Sequence, residues 1–552
     1  MMHQLYASRA AKLALMALLA LLIICPLLFI LYTSIETKSG IDITQPFKII
    51  SDHALLEVLF NTLLLGAAVV VLSTLIALPL AFLAAKTTIG RYVWLDIVLV
   101  IPFMTPPYID SMGWILFMQK NGFLSQLIPA ADKYSGYFFG LPGMVLVMSL
   151  HLFPFLYLLL RGTIEKIGSG LEEAGAIFGG GSLYRMKRIL LPLVLSAYAM
   201  GALLVFIKTI SEFGTPATFG RQIGFYVLTS EIHTYVSSWP IDFGKATALA
   251  SVLLGTCMLF WYVQSTISRR SQYAMIGGKG TKLHLAKLTG WKGFAAWTFI
   301  GAVLATAIAV PYSSIIIASC QKLRSKGLAF DNFTLEHYQN FFQPGSQALK
   351  ALGQSAMLAF LAASFAVLLG LLLVLHIRKS KKASERALDM TALLPDMVPS
   401  IIIVIGLILF WNSGWMPAGL YGTTGFVVLT YVVLFIPYAI QYLKSSFVQV
   451  DGVLLESGKI FGGRPFYIFR RILLPLLVPG MVYGWIMIFS ISTRELVASL
   501  LVLPPDMQVS STYIFSQFEQ GSVSEGMAMA LIVAAFTTTI LLVMQKVSAR
   551  FR

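Results

Sequence analysis

Twelve stretches of predominantly apolar residues run through this chain, centred near Leu22, Ala68, Pro106, Ser149, Ala199, Leu254, Ala305, Phe365, Ile401, Val433, Tyr483 and Val533. Each is long enough to cross a bilayer, which takes about 20 residues as a helix. Of 552 residues, 57% are hydrophobic and 12% charged, more apolar surface than a soluble core could hide. In hydrocarbon, backbone polar groups must be satisfied within the protein, and runs of this length do so as helices. The expected fold is all-α: a polytopic membrane protein of about twelve transmembrane helices.

A formal net charge of +16 would suit a nucleic-acid partner if the basic residues were clustered on a soluble surface, but they alternate with the spans. With a cytoplasmic N-terminus, Lys and Arg fall mainly on one side: Arg9 and Lys12, Lys86 and Arg91, and the groups between Arg161 and Arg188, Arg269 and Lys292, Arg378 and Arg386, Lys444 and Arg471, and at the tail. That asymmetry is the one expected of cytoplasmic loops. It places both termini in the cytoplasm, makes the bilayer the partner, and leaves no role for nucleic acid.

Cys25, Cys257 and Cys320 lie in or at the ends of apolar stretches without CxxC pairing, so they read as packing residues. The first apolar run has a basic start, yet it is long and no small-x-small cleavage site follows it. It reads as a retained helix.

The chain repeats itself. LEEAGAIFGGGSLYRMKRILLPLVL from Leu171 aligns without gaps to LLESGKIFGGRPFYIFRRILLPLLV from Leu454, matching Glu173 to Glu456 and Pro192 to Pro475, 283 residues apart. Upstream, IPFMTPP around Pro102 and Pro106 matches LLPDMVP around Pro395 and Pro399 at an offset of 293. Six helices per copy, an even number, make the copies parallel repeats about an axis along the membrane normal. The expected organisation is a first repeat over 1–267, a cytoplasmic linker over 268–292 that contains GGKGTK, and a second repeat over 293–552.

The repeated segment reads E-[AS]-G-x3-G-x9-I-x-L-P in both copies. It resembles the EAA loop of the membrane subunits of binding-protein-dependent ABC importers of type I. The matching residues are Glu173, Ala174, Gly175, Gly179, Ile189, Leu191 and Pro192, and again Glu456, Ser457, Gly458, Gly462, Ile472, Leu474 and Pro475. Gly175, Ser457 and Gly458 depart from the alanines of the motif but stay small. The resemblance implies a short cytoplasmic helix seated in a groove of an ATPase subunit, with small residues after the glutamate allowing close approach and the last glycine ending the helix or taking φ > 0. Two loops imply two ATPase copies. The chain has no G-x4-G-K-[ST] phosphate loop, so ATP and Mg belong to those partners, no cofactor is expected here, and the chain is expected to be a transport subunit rather than an enzyme. A periplasmic or lipid-anchored binding protein is the implied source of substrate.

An ionisable group inside a membrane helix is costly and calls for a partner or a hydrated cavity. Four carboxylates stand out: Asp110, Glu212, Asp396 and Glu495. Glu212 and Glu495 are equivalent, 283 residues apart, near the outer end of the fifth helix of each repeat. They fit either a gate on the translocation path or structural ion pairs with Lys208 and Arg494. Asp110 and Asp396 lie in the proline-interrupted third helices, where broken helices point to a substrate path and packing kinks are the alternative. His151 reads as a packing residue rather than a metal ligand, and Asn332-Phe333-Thr334 as an accidental glycosylation match. No metal site is expected.

Two six-helix halves fused in one chain, with SEFGTPATFG after the fifth helix, are similar to the ferric-iron group of ABC permeases. Thiamine, phosphonate and polyamine permeases are the alternatives within the same machine. The resemblance implies an inner-membrane permease for ferric iron. An ion-gradient-driven secondary transporter shares the twelve-helix architecture, but the paired EAA loops speak against it.

Overall fold

The computed structural model describes residues 9–37, 40–167, 174–175, 177–271, 285–376, 383–414, 416, 419–450 and 452–549. Among the described residues ten helices are long and apolar enough to span a membrane, and counting each of two bent pairs as one span makes twelve. In chain order these are α1 Ala10–Ile35, α2 His53–Lys86, α3 Val93–Met104 with Pro107–Leu127, α4 Leu141–Lys166, α5 Lys187–Ser211 and α6 Phe243–Ile267. The second series is α7 Gly290–Ser319, α8 Gln347–His376, α9 Ser384–Asp396 with Ser400–Trp411, α10 Thr424–Val448, α11 Pro465–Ser492 and α12 Val523–Met544. A two-stranded hairpin, Glu36–Thr37 with Gly40–Ile41, follows α1.

The third span of each series is broken rather than kinked, by 92° in α3 and 109° in α9. Proline explains the place. Thr105 precedes Pro106 and holds ψ 141, and Pro399 itself holds ψ 135 ahead of the next limb. A residue before proline is driven out of the α region, and proline offers no N–H to carry the helix through.

The chain divides into two compact units, one of residues 1–49, 235–254 and 334–552, the other of 50–234 and 255–333. These units do not coincide with the segments 1–267 and 293–552, because α1 and residues 235–254 of the first segment are grouped with most of the second, and α7 with most of the first. In the unit of residues 50–234 and 255–333, α2, α4 and α5 pack together and α7 lies on the second limb of α3. In the other unit, α8, α10 and α11 form the core and α1 lies on the second limb of α9.

The two exchanged contacts are built alike. A Cβ at Gly113 would stand 2.7 Å from the carbonyl oxygen of Pro311, and one at Gly406 would stand 2.7 Å from that of Pro26. Only glycine lets the backbones approach this closely. Pro26 and Pro311 each follow a π-helical turn, Ala20–Ile24 and Ala305–Ala309, the adjustment expected where a proline withholds a hydrogen-bond donor. Near the other end of the exchanged span the anchor differs in chemistry. Lys12 Nζ reaches Glu385 at 3.3 Å and Ser384 at 2.7 Å, whereas in the other unit the rings of Trp297 and Tyr92 meet edge to face at 5.6 Å.

Asn332 is fully buried. Its amide donates to the carbonyls of Leu323 and Gly327, both at 2.8 Å, and accepts from the Leu323 N–H at 2.9 Å. These bonds fix a loop and leave the side chain no part in modification. The GGKGTK segment lies outside the described residues.

Candidate coupling loops and translocation path

In the second repeat a helix over Gly452–Ile460 carries Glu456, Ser457 and Gly458 and ends in a left-handed turn. Gly462 has φ 76, and the Gly463 N–H closes back on the Gly458 carbonyl at 2.9 Å. The first repeat builds the same stop, with Gly179 at φ 81 and the Gly180 N–H on the Gly175 carbonyl at 2.8 Å. This is the Schellman arrangement, in which a glycine supplies the positive φ and the following N–H caps an orphan carbonyl. Ala174 is exposed, while Glu173 lies outside the described residues.

The small residues after the glutamate serve the loop itself. A Cβ on Gly175 would meet Ile189 Cδ1 at 2.6 Å, and one on Gly458 would meet Ile472 Cδ1 at 2.8 Å. Ile189 and Ile472 are the isoleucines of the repeated motif, so its glycine and isoleucine are two sides of one internal contact. The open approach expected there is thus filled from within each loop. What each loop presents outward is a pair of apolar side chains that sequence reasoning passed over: Ile177 and Phe178, 82% and 90% exposed, and Ile460 and Phe461, 82% and 89% exposed. Their identical placement before the turn glycine was visible in the aligned repeat. Each loop returns through a π-helical turn, Met186–Leu190 or Phe469–Leu473, just ahead of Pro192 or Pro475.

Glu212 and Glu495 sit just past α5 and α11, both half-buried. The Glu212 carboxylate accepts from the Thr215 N–H, at 3.1 and 3.0 Å to its two oxygens, and the Glu495 carboxylate accepts from the Ala498 N–H at 3.2 Å. Each glutamate therefore caps the start of the helical turn that follows the span. Their carbonyls are held in parallel fashion, by the Thr229 hydroxyl at 2.8 Å and the Ser511 hydroxyl at 2.5 Å. In these contacts main-chain amides hold each carboxylate.

Asp110 and Asp396 are not equivalent. Asp396 is half-buried at the end of the first limb of α9, ahead of the bend; Asp110 lies in the first turn of the second limb of α3, beyond it. Asp110 is 1% exposed, neither carboxylate oxygen makes a hydrogen bond among the described residues, and His151 Nδ1 on α4 lies 4.0 Å away. His151 is thus the neighbour of a buried acid as well as a packing residue. The repeat offsets place Ile403 and Leu434 at the corresponding positions of the second half, so only the first half carries this polar pair. Tyr108 and Ser111 on the same limb reach the segment after α5: Tyr108 Cβ would touch a Cβ on Gly214 at 3.0 Å, and the Ser111 and Thr218 hydroxyls are 2.6 Å apart. The broken limb, Asp110 and the segment capped by Glu212 therefore belong to one neighbourhood. Among the described residues no group of three or more His, Cys, Asp or Glu could hold a metal ion.

A ferric transport system permease protein, FbpB, of Actinobacillus pleuropneumoniae is 23% identical over 505 residues, 90% of this chain and 72% of the relative. A second ferric permease, from Haemophilus influenzae, is 23% identical over 517 residues and 93% of each chain. A half-length relative from Salmonella typhi, a putative 2-aminoethylphosphonate transport system permease protein, is 26% identical over 259 residues, 47% of this chain and 97% of that one. Among solved structures, a bacterial ABC transporter that imports alginate matches at 20% identity and a TM-score of 0.38, over 47% of this chain and 98% of that one. The family of binding-protein-dependent transport system inner membrane components matches twice, over residues 77–272 and 352–552, each match containing one EAA turn and one glutamate-capped segment, and the chain belongs to that family.

Proposed function

We propose that this chain is the transmembrane permease subunit of an ATP-driven importer for ferric iron, with one docking point for an ATPase subunit in each repeat. The observation that carries the proposal is the pair of exposed Ile-Phe tips, Ile177-Phe178 and Ile460-Phe461, held by left-handed glycines at equivalent places. Aromatic side chains presented on a rigid turn at a charged membrane surface are poor company for water and good anchors for a partner groove. On the expected topology both tips are cytoplasmic, where ATP and Mg are bound and turned over by the partner. Within each repeat, the broken third span and the glutamate-capped segment are the proposed elements of the path, with each glutamate on the outer side where an external binding protein delivers its cation.

The ferric reading is supported by relatives that match this chain over most of its length. A 2-aminoethylphosphonate reading has one observation in its favour, the slightly higher identity of the half-length relatives. Uptake of labelled ferric iron and of labelled 2-aminoethylphosphonate in the same cells separates them.

The docking role is tested by Phe178→Asp together with Phe461→Asp. Loss of an anchor of this kind costs about 2 kcal/mol or more, a ~30-fold loss of affinity, so the ATPase subunit should no longer co-purify and uptake should fall to background. Undiminished co-purification and uptake in the double variant would remove the proposal.

A further inference from the structure

The repeat can be read for charge as well as for motif, and it then shows a contact that neither the EAA turn nor the path accounts for. On the first limb of α3, the Asp96 carboxylate forms an ion pair with Arg161 on α4. The Tyr157 hydroxyl donates to Asp96 Oδ1 at 2.6 Å, Arg161 Nη1 donates to that hydroxyl oxygen at 3.2 Å, and Arg161 Nε donates to Glu165 at 2.7 Å. On the first limb of α9, Asp389 forms an ion pair with Lys444 on α10. Asp389 follows Asp96 by 293 residues and Lys444 follows Arg161 by 283, the two offsets of the repeat. All four side chains are between 17% and 31% exposed.

The details around the pair are not kept. Tyr157 is replaced by Ile440 at the same offset, and guanidinium by ammonium. What persists in both halves is one negative charge on the limb that leads to the bend and one positive charge near the end of the span that leads to the EAA turn. Arg161 lies five residues before the end of α4, and Lys444 four before the end of α10. The limb that holds Asp96 is α-helical up to the bend at Thr105, and the limb that holds Asp389 is α-helical to Leu393 and reaches the bend at Val398 through a 3-10 turn, Leu394–Asp396. In the sequence each EAA turn follows directly on the span that carries the basic partner, α4 or α10. Without a tie, the span could slide past the neighbouring limb; with a half-buried ion pair, screened less than one in open water, the limb is drawn along.

We propose that Asp96–Arg161 and Asp389–Lys444 are positioning residues that tie each EAA loop to its broken third span, so that movement at the ATPase contact reaches the bend in the path. This rests on the docking role proposed above. It concerns a different quantity, the substrate moved per ATP hydrolysed.

The test uses the complex of the full chain with its co-purifying ATPase, in proteoliposomes supplied with ferric-loaded binding protein. Asp96→Asn with Asp389→Asn should leave ATPase co-purification intact and basal hydrolysis within about two-fold of the parent, while transport per ATP falls about ten-fold, within the range coupling residues command. The charge exchange Asp389→Lys with Lys444→Asp, made in the otherwise unaltered chain, should keep at least half the parent's transport per ATP, whereas Asp389→Lys alone should not. Unchanged transport per ATP in the neutralised variant would overturn the tie. So would transport and hydrolysis falling together in proportion to folded protein, or a charge exchange no better than the single reversal. Failure of the unaltered chain to retain any ATPase would instead overturn the docking proposal beneath it.

Discussion

Glu212 and Glu495 show how one side chain can serve structure and transport with different parts of itself. The cap needs only an oxygen that accepts from the Thr215 or Ala498 N–H, and a glutamine oxygen can supply that; a negative charge at the mouth of the path needs the carboxylate. Glu212→Gln with Glu495→Gln therefore removes charge while keeping the acceptor. The double variant should melt within about 2 °C of the parent, since a cap whose acceptor oxygen is retained in neutral form changes stability by only tenths of a kcal/mol, while ferric uptake falls several-fold. Parallel measurement of uptake and melting temperature checks both halves of the statement, and normal uptake would exclude the charge from the path. The equivalence of these residues was legible from the repeat, because identical residues at one offset need no structure to be seen. Their partners were not, because main-chain amides leave no trace in a sequence and the eye goes to Lys208 and Arg494.

At the scale of the element, the second limbs of α3 and α9 solve one packing problem with two chemistries. Both place a glycine against a proline carbonyl on an exchanged span, yet one carries Asp110 beside His151 where the other has Ile403 and Leu434. A buried acid and base are usually no more stable than apolar residues filling the same space, whereas removing one partner strands the other. Asp110→Ile with His151→Leu, which copies the second limb into the first, should leave thermal stability equal or higher, by up to about 3 kcal/mol. His151→Leu alone should cost about 3 kcal/mol. Chemical or thermal unfolding of the purified variants in detergent measures the difference. If the double variant is stable but no longer transports, the polar pair is kept for the path. The break itself was legible in IPFMTPP and LLPDMVP, because proline acts on its immediate neighbours. The Asp110–His151 contact was not, since the two residues come from different spans and hydropathy treats each as an isolated defect.

At the scale of the whole molecule, twelve spans and two repeats follow from apolar length and self-similarity, both local properties of the string. Membership of the compact units does not follow from them. α1 and α7 are grouped with the other repeat's unit, and the residues that hold them there, Gly406 with Pro26 and Gly113 with Pro311, are ordinary small and kinked positions until the packing is seen. If those contacts assemble the protein, residues 1–267 and 290–552 expressed as separate polypeptides should recover uptake together and neither should persist alone. Co-purification of a tagged first piece with an untagged second, and the half-life of each expressed singly, tests this. A first piece as long-lived alone as in company would show that the exchange contributes little to assembly.

The exchange of α1 also imposes an order in time. Pro26 leaves the ribosome about 380 residues before Gly406, which at bacterial synthesis rates is a delay of about 20 to 80 s. Through that interval α1 lies beside lipid or an insertion factor, its proline-kinked face open, while the spans between it and α9 are laid down. α1 is thus made eight spans ahead of its native neighbour, and an arrest anywhere before α9 leaves it without that contact.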